Sequence, residues 1–431
     1  MVAPGEIDWD ADVVADPAES YQSLVRSLQR TDGFSLFFVR CVPGDQADLA
    51  RRLQADLPTL HMQRLELTEE LVDGNLYQRV ATLPDFAQIN VLFISGLEKS
   101  LDPYIKSGYG GQGDYYKLDT VPRVLGHLNL QRERFRDDFP FCFVFFLSAF
   151  GIKYLARRAP DFFDWRSGIF EFVPDAETVG KLTQALWGDY AEYLTWNHPQ
   201  RLDRIRDIQG ILEEDQQTPN QQASLWWEKG NILFADQNYG AAIASYEQAV
   251  AIKPDYHEAW NNRGYALDDL GRKEEAIASY EQAVAIKPDK HEAWYNRGVA
   301  MSALGRSLQA QGQQEAALAK LSEGLASYEQ AVAIKPDLHE AWYNRGVALS
   351  ALGHKEEAIA SYEQAIEFKP DKHEAWYNKA CCYGLQQNIE LAIETLQHAI
   401  SLDSKYRDMA KTDSDFDGIR DDERFQAVIG E

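Results

Sequence analysis

The chain has 431 residues, of which 26% are charged, and its formal net charge at pH 7 is −25. This length is sufficient for two or three domains with sizeable hydrophobic cores. Because a strongly acidic surface repels phosphate groups and anionic lipid, the charge argues against nucleic acid or membrane as the main partner and favours proteins.

The cysteine content and the N-terminal segment indicate the cellular compartment. The four cysteines form no CxxC pair, which is typical of reduced thiols in a cytoplasmic protein. Residues 1–20 are acidic and lack the basic and apolar regions of a signal peptide. The longest apolar run, at 139–151, is too short to span a bilayer. We therefore expect a cytoplasmic protein.

Short apolar runs alternate with helical patterns in the N-terminal half, which predicts an α/β domain with a parallel sheet. The five predicted strands are 34–42, 61–67, 89–95, 141–148 and 168–173. Five strands with crossover helices fit one doubly wound domain with a helical extension, over 1–198. A further helix and a polar linker follow at 199–222.

The first strand ends in a Val-Pro-Gly-Asp turn before a helical stretch, the place where a P-loop binds phosphate. A P-loop has the pattern G-x-x-x-x-G-K-[ST], in which Lys neutralises the phosphates and the hydroxyl binds magnesium. If Gly44 is the second glycine, Val39, Asp45 and Gln46 occupy the positions of the first glycine, the Lys and the hydroxyl. We therefore interpret this turn as a vestigial nucleotide site, or as a simple turn between a strand and a helix.

The third strand also lacks a residue that nucleotide binding requires. A Walker B strand ends in Asp, whereas this strand ends at Ser95, with Glu98 three residues later. The outline Ser95-Gly96-Leu97-Glu98, the sensor-like strand 143–148 and the segment 155–172 resemble STAND-type signalling ATPases over about residues 18–200. That resemblance implies a degenerate P-loop NTPase fold with a sensor-and-switch layout, but no matching catalytic residues. ATP or GTP binding is therefore not expected; the alternative is a nucleotide-binding switch in signalling or defence whose repeats sense a ligand.

An internal repeat of 34 residues fills the C-terminal half. The five units are 223–256, 257–290, 291–338, 339–372 and 373–406, and the third is longer because it contains a 14-residue insertion at 307–320. A repeat of this period, built of two helices, indicates an α-solenoid. Split around Gly312, the insertion predicts two helices that are each about two turns longer.

The units share a residue pattern. The fourth position is Trp226, Trp260, Trp294, Trp342 or Trp376, and the eighth is Gly230, Gly264, Gly298, Gly346 or Ala380. Pro254, Pro288, Pro336 and Pro370 end the second helix of four units. This pattern closely resembles the tetratricopeptide repeat, which implies a solenoid that binds proteins.

In that family, positions 2, 5, 6, 9, 12 and 13 line a concave groove. The candidate groove residues are Trp227, Glu258, Asn262, Glu292, Tyr295, Asn296, Glu340, Tyr343, Asn344, Glu374, Tyr377 and Asn378. Asn amides can pair with a peptide backbone and aromatic residues can anchor side chains, although some of them could instead pack between repeats. The glutamates favour a basic or neutral segment. Positions 2, 5 and 6 are not basic, so the family's clamp for a C-terminal carboxylate is not expected.

The C-terminal segment 407–431 is predicted to cap the open end of the repeats with Phe416, Phe425 and Ile429. Asp413, Asp415 and Asp417 match an EF-hand loop, but Arg424 stands where a bidentate Glu is needed, so calcium binding is not expected. No catalytic or metal-binding spacing was found. The sequence thus predicts a bacterial-type, non-catalytic adaptor or scaffold, with the pseudo-NTPase domain as a second interaction or regulatory module.

Overall fold

The structure of the protein is a computed structural model that describes residues 16–101, 121–174, 176–214 and 217–430. Residues 1–15, 102–120 and 175 of the predicted α/β domain, 215–216 of the predicted linker and the last residue of the capping segment lie outside the described residues. The chain divides into two compact units, Met1–Lys253 and Pro254–Glu431. None of the described helices has the length and apolarity needed to span a membrane.

A parallel five-stranded sheet forms the centre of the N-terminal unit. Its strands are β1 (Ser35–Arg40), β2 (Met62–Glu66), β3 (Val91–Ser95), β4 (Cys142–Leu147) and β5 (Gly168–Glu171). Their order is β2-β3-β4-β1-β5, and all neighbours run parallel. The five predicted strands and the parallel sheet are confirmed.

Helices cover both faces of this sheet. They are α1 (Pro17–Arg30), α2 (Gln46–Asp56), α3 (Leu76–Ala81), α4 (Arg123–Asp138), α5 (Ala149–Arg158) and α6 (Pro160–Phe163). Along β1, Leu36 and Phe38 pack in the core formed with α3 to α6, whereas Phe37 and Val39 pack in the core formed with α1 and α2. This alternation buries both faces of the strand, and each such side chain stabilises the fold by roughly 1.5–3 kcal/mol.

Five further helices complete the N-terminal unit. They are α7 (Ala176–Ala185), α8 (Tyr190–Thr195), α9 (His198–Leu212), α10 (Pro219–Ala235) and α11 (Tyr239–Ile252). Tyr193, Ile208 and Ile232, from α8, α9 and α10, belong to one buried cluster. Because α10 and α11 form the first repeat, that repeat shares a core with the helical extension of the α/β domain.

The C-terminal unit contains the other four repeats and the C-terminal segment. Its helices are α12 (His257–Asp269), α13 (Lys273–Ile286), α14 (His291–Ala310), α15 (Gln314–Ile334), α16 (His339–Ala351), α17 (Lys355–Phe368), α18 (His373–Leu385), α19 (Ile389–Leu402), α20 (Lys405–Thr412) and α21 (Glu423–Gly430). Each repeat is a helical hairpin that begins at its histidine, and its second helix ends just before the Lys-Pro pair or, in the last repeat, at Leu402. The predicted helical solenoid is therefore present in this unit.

The repeated glycine and tryptophan have specific structural roles. A Cβ atom added at Gly346 would lie 2.5 Å from the ring of Tyr362 in the partner helix of the same repeat, so the glycine permits close helix packing. The Trp342 Nε1 donates a hydrogen bond to the Pro336 carbonyl at 2.7 Å, and the other three repeats of this unit form the equivalent bond. The tryptophan thus fixes the turn that enters each repeat.

The insertion lengthens the third repeat. Helix α14 has 20 residues and α15 has 21, compared with 13 and 14 in the fourth repeat. Seven extra residues per helix are about two turns, as predicted.

The C-terminal segment packs on the last repeat. Phe416 and Phe425 are fully buried, and Ile429 is 5% exposed, in a cluster that includes Leu396 of α19.

Candidate functional sites

The turn after β1 does not form a phosphate cradle. Pro43–Asp45 is a single 3-10 turn that precedes α2, and Gly44 and Asp45 are exposed whereas Gln46 is half-buried. Partial desolvation and the nearby Asp48 raise the pKa of Asp45. The first turn of α2 therefore presents carboxylates where a phosphate site requires cations.

A buried ion pair lies at the carboxyl end of β1 instead. The Arg40 guanidinium contacts Glu214 at 3.0 Å and Glu171 at 3.5 Å, and the Arg40 and Glu214 side chains are 14% and 2% exposed. In open parallel sheets, the crevice at the carboxyl ends of the strands is the usual ligand site. Here the Glu214 carboxylate of the chain itself forms an ion pair with the Arg40 cation at that position.

Glu98 is the second buried carboxylate at this edge of the sheet. It follows Gly96, whose φ of +77° places it in the left-handed region. Its Oε1 accepts hydrogen bonds from the Ser148 backbone N–H at 2.7 Å and from the Ser148 hydroxyl at 2.8 Å. Glu98 thereby joins the end of β3 to the start of α5. We call Arg40, Glu98, Ser148, Glu171 and Glu214 the strand-end cluster.

The electrostatic field around the strand-end cluster is negative. Burial raises the pKa of the Cys41 thiol, and the carboxylates of Asp45, Glu98 and Glu214 raise it further. Asp45 and Glu98, the two acidic residues predicted near the strand ends, thus act together with Glu214 on the buried Cys41 thiol. A triphosphate would have to enter this field and displace Glu214 from Arg40.

Three further polar side chains, from α9, its C-cap residue and α10, lie next to the strand-end cluster. Lys229 of α10 donates a hydrogen bond to Gln209 Oε1 at 2.7 Å, and Gln209 Nε2 donates to Glu213 at 3.0 Å. Burial raises the pKa of Glu213 to about 7 and lowers that of Lys229 to about 8. The contacts at this edge therefore include the first repeat.

Asn and Tyr side chains on the first helices of the repeats in the C-terminal unit form a ladder of hydrogen bonds. Asn344 Nδ2 donates to the Tyr295 hydroxyl at 3.2 Å, and Asn378 Nδ2 donates to the Tyr343 hydroxyl at 3.2 Å. Asn296 Nδ2 donates to Asn261 Oδ1 at 3.4 Å. These bonds link each repeat to the preceding one, so these side chains have a structural role as well as a potential role in binding. Since an amide has two donors and one acceptor, each bond uses only part of its capacity.

We define the repeat groove as the face of α12, α14, α16 and α18 that carries this ladder. Its ladder and neighbouring residues are Asn261, Asn262, Tyr265, Tyr295, Asn296, Val299, Tyr343, Asn344, Val347 and Asn378. Burial raises the pKa of Tyr295 and of Tyr343, so both hydroxyls are protonated and able to donate at neutral pH.

The glutamates at position 2 lie beside the histidine that starts each repeat. The four His–Glu distances are between 3.2 and 3.4 Å, and the glutamate side chains are 39–53% exposed. Lys372 also contacts Glu374 at 3.3 Å. These glutamates (Glu258, Glu292, Glu340 and Glu374) therefore remain accessible to a ligand.

Two candidate groove residues stand apart from the ladder. Tyr377 is 3% exposed, stacks on Tyr406 at 4.5 Å and donates to Asp413 at 2.7 Å, so it supports the C-terminal segment and presents no surface to a ligand. Trp227 is half-buried on α10 in the N-terminal unit.

The aspartates of the EF-hand-like stretch take part in local contacts. Cys381, Asp413 and Asp415 have ligand-type atoms within 4.8 Å of one another, whereas Asp417 pairs with Arg420 at 2.7 Å. Burial and the two carboxylates raise the pKa of the Cys381 thiol. Asp417 is not part of the group that Asp413 and Asp415 form, so the three aspartates do not converge as an EF-hand loop requires.

Sequence reasoning missed three residues that the structure places at these sites. The sequence pattern places Arg40 in a strand and Glu214 in a helix, and it indicates no functional role for either residue. Arg306 lies in the insertion-lengthened part of α14, where it follows Tyr295, Val299 and Ser302 on one helix face. Helical spacing from the predicted groove positions was the signal that could have identified Arg306.

Comparison with known families identifies the repeats. Tetratricopeptide repeat models match residues 227–291, 339–372 and 373–406. The C-terminal half therefore contains tetratricopeptide repeats, as predicted. Comparison with the curated proteins finds no match.

Several solved structures resemble part of the chain. YrrB, described as a TPR protein with an unusual peptide-binding site, is 21% identical, with 46% of this chain and 92% of that chain covered and a TM-score of 0.39. MamA from Desulfovibrio magneticus RS-1 is 16% identical, with coverages of 42% and 96% and a TM-score of 0.37. A thermophilic TPR protein in Thermus thermophilus is 22% identical, with coverages of 43% and 96% and a TM-score of 0.33. No function follows from likenesses of this strength.

Proposed function

We propose that the protein is a non-catalytic adaptor or scaffold whose repeat groove binds a partner protein through an extended segment. The observation that carries this proposal is the ladder, in which the second to fifth repeats present an amide at the same position and the third and fourth also present a tyrosine hydroxyl. An extended peptide also repeats its polar backbone groups at regular intervals, so a ladder of this kind can bind many sequences. Tetratricopeptide repeats in the C-terminal half support the same role.

The partner segment is basic or neutral in this proposal. The four groove glutamates remain 39–53% exposed, and the formal net charge of the chain is −25. Both features attract cationic groups and repel nucleic acid and anionic membranes. A cytoplasmic location fits the four cysteines, which are all free and buried.

The N-terminal domain serves as a second interaction or regulatory module, a degenerate P-loop NTPase-like domain in this proposal. Its support is the strand-end cluster, because Arg40 is already paired with Glu214 and Glu171. Removing Glu214 from Arg40 would leave the buried guanidinium with the 42% exposed Glu171 as its remaining ion-pair contact within the described residues, which is costly. Such an arrangement favours a permanently closed crevice over nucleotide exchange.

The experiment is a co-purification of the full-length protein and its double variant Asn296→Ala, Asn344→Ala. The substitutions remove two successive members of the ladder, so we expect partner proteins to be lost from the variant. Asn220→Ala, at an exposed position of α10, is the matched control and should retain every partner. Circular dichroism checks that the double variant folds. Retention of all partners by the folded double variant would refute binding in the repeat groove.

A further inference from the structure

Helix α8 carries apolar side chains on two opposite faces. Tyr193 is fully buried in the cluster that α8 shares with α9 and α10, and its ring lies 4.9 Å from that of Trp196. On the other face, Tyr190 and Leu194 are 39% and 56% exposed, one helical turn apart. Trp187, three residues before Tyr190, is 55% exposed. Since a helix that is apolar all round is normally buried, the outer face of α8 has the composition of a contact surface.

This outer face continues onto the first repeat. The ring of Tyr190 lies 6.1 Å from that of Phe234 near the end of α10, and the ring of Phe234 lies 5.1 Å from that of Tyr239 at the start of α11. Phe234 and Tyr239 are half-buried. We call Trp187, Tyr190, Leu194, Phe234 and Tyr239 the aromatic patch. Neighbouring exposed apolar residues that include Trp and Tyr are typical of protein interfaces.

A buried hydrogen bond fixes the position of the aromatic patch. The Gly188 N–H, next to Trp187, donates to Glu228 Oε1 of α10 at 3.0 Å. A Cβ atom added at Gly188 would lie 2.5 Å from the Tyr193 hydroxyl, so the turn that carries Trp187 packs tightly on α8. Because this turn is already positioned in the free protein, binding through Trp187 loses little conformational entropy.

The charged residues beside the aromatic patch are acidic. Residues 182–200 contain Asp189 and Glu192 but no lysine or arginine, and both carboxylates are exposed. Within the described part of the chain, neither of them forms an ion pair. The side chain of Arg201, the first cation after this segment, is 14% exposed and is paired with Asp236 at 3.3 Å. The charge that a partner meets at this surface is therefore negative.

These charges decide which partner fits the aromatic patch. Anionic membranes and nucleic acids are repelled. A symmetric contact with a second copy would bring the carboxylates of both patches to one interface, where like charges are unfavourable. An apolar surface with carboxylates at its rim instead matches an apolar surface with Lys or Arg at its rim. Because α8 presents its exposed apolar residues at helical spacing, the complementary stripe is that of an amphipathic helix.

We infer that the aromatic patch is a docking surface for a cationic amphipathic helix of a partner protein. Leucine-type side chains of that helix cover Trp187, Tyr190 and Leu194, and its Lys or Arg side chains pair with Asp189 and Glu192. A cation over the ring of Trp187 or Tyr190 adds to the attraction. The patch lies in the N-terminal unit and shares no residue with the repeat groove, so this inference goes beyond the proposed function and does not depend on it.

Fluorescence anisotropy of the full-length protein with three labelled synthetic peptides, each of about 18 residues, tests the inference. The first peptide has Leu and Lys at helical spacing, the second has Leu and Glu at the same positions, and the third has Leu and Lys in strict alternation. At about 0.15 M salt, the first peptide should bind at least about tenfold more tightly than the others. Equal binding of either control peptide, or no binding of the first, would overturn the inference.

Variants assign this binding to the aromatic patch. Trp187→Ser combined with Leu194→Ser keeps the net charge of the protein and should weaken binding of the first peptide by at least about tenfold. Leu130→Ser, at an 82% exposed apolar position of α4, is the matched control and should bind like wild type. Asp189→Asn combined with Glu192→Gln, in which Asn still caps α8, should weaken both the binding and its dependence on salt. Unchanged affinity in either double variant, with its fold checked by circular dichroism, would refute the assignment.

Three further measurements separate this partner from the other occupants. A wild-type dimer in sedimentation velocity that Trp187→Ser, Leu194→Ser dissociates would assign the aromatic patch to a second copy. Phosphatidylserine vesicles that bind wild type but not this variant would assign it to a membrane. Either result would overturn the inference. The Asn296→Ala, Asn344→Ala variant should bind the first peptide like wild type, and loss of that binding would place the peptide in the repeat groove and refute only the role of the patch.

Discussion

Glu228 in the first repeat provides a test of the polar groups buried in the N-terminal unit. It is 1% exposed, and its Oε1 accepts a hydrogen bond from the Gly188 N–H at 3.0 Å. Its other carboxylate oxygen lies 3.5 Å from Asn231 Nδ2. Burial outweighs both hydrogen bonds and raises the pKa of Glu228 from 4.5 to about 7. Ionisation of Glu228 is therefore unfavourable in the folded protein.

The sign of the pH dependence follows from these two pKa values. Between about pH 4.5 and 7 the folded state binds more protons at Glu228 than the unfolded state does, so its contribution to stability falls as pH rises. Glu228→Gln replaces the carboxyl by an uncharged group of the same shape whose oxygen can still accept from Gly188. Relative to wild type, the variant should gain about 3 kcal/mol of unfolding free energy at pH 8 but only about 1 kcal/mol at pH 5.

Urea unfolding of the full-length proteins at both pH values measures this difference, and hydrogen exchange of α10 assigns it to the unit that contains Glu228. Glu247→Gln is the control, because it removes one charge from an exposed position of the same repeat and should give similar differences at both pH values. A Glu228→Gln protein that is less stable than wild type at pH 8 would refute the reasoning. It would mean that the carboxylate is stabilised by its contacts.

Three further predictions concern packing, charge and nucleotide binding. Gly346→Ala forces a Cβ atom to within 2.5 Å of the Tyr362 ring and should destabilise the protein by about 1–3 kcal/mol in urea unfolding. In the control Gly126→Ala, no atom lies within 4 Å of the added Cβ, so this variant should stabilise α4 by about 0.5–1 kcal/mol. Equal effects of the two substitutions would contradict the packing argument. Arg40→Gln removes the cation that contacts the buried Glu214 carboxylate and should cost about 3–5 kcal/mol in the same assay; a neutral result would show that the pair is dispensable. Millimolar Mg-ATP or Mg-GTP should leave the unfolding temperature unchanged, because Arg40 is already paired with the chain's own carboxylates. A nucleotide that bound at about 100 times its dissociation constant would raise the unfolding free energy by about 2.7 kcal/mol. A clear increase in the unfolding temperature with either nucleotide would support a nucleotide-binding switch.

The sequence by itself determined the local elements of this protein. The 34-residue period, the histidine that starts four of the five repeats and the Lys-Pro pair that follows the second helix of four repeats defined the helical hairpins. The insertion was also assigned correctly, since it lengthens α14 and α15 by about two turns each. Apolar runs gave the five strands. These features depend on residues within a few positions of one another, and a periodic pattern records such contacts directly.

The tertiary structure decided which distant residues meet. Arg40 and Glu214 are 174 positions apart, and no local pattern indicates that a residue after α9 neutralises the cation at the end of β1. Tyr377 matched the groove pattern, yet contacts with Tyr406 and Asp413 bury it. Arg306 reached the groove face because the insertion continued a helix that ends earlier in the neighbouring repeats. In each case the outcome depends on how separate elements pack, which hydrophobic periodicity within one element does not specify.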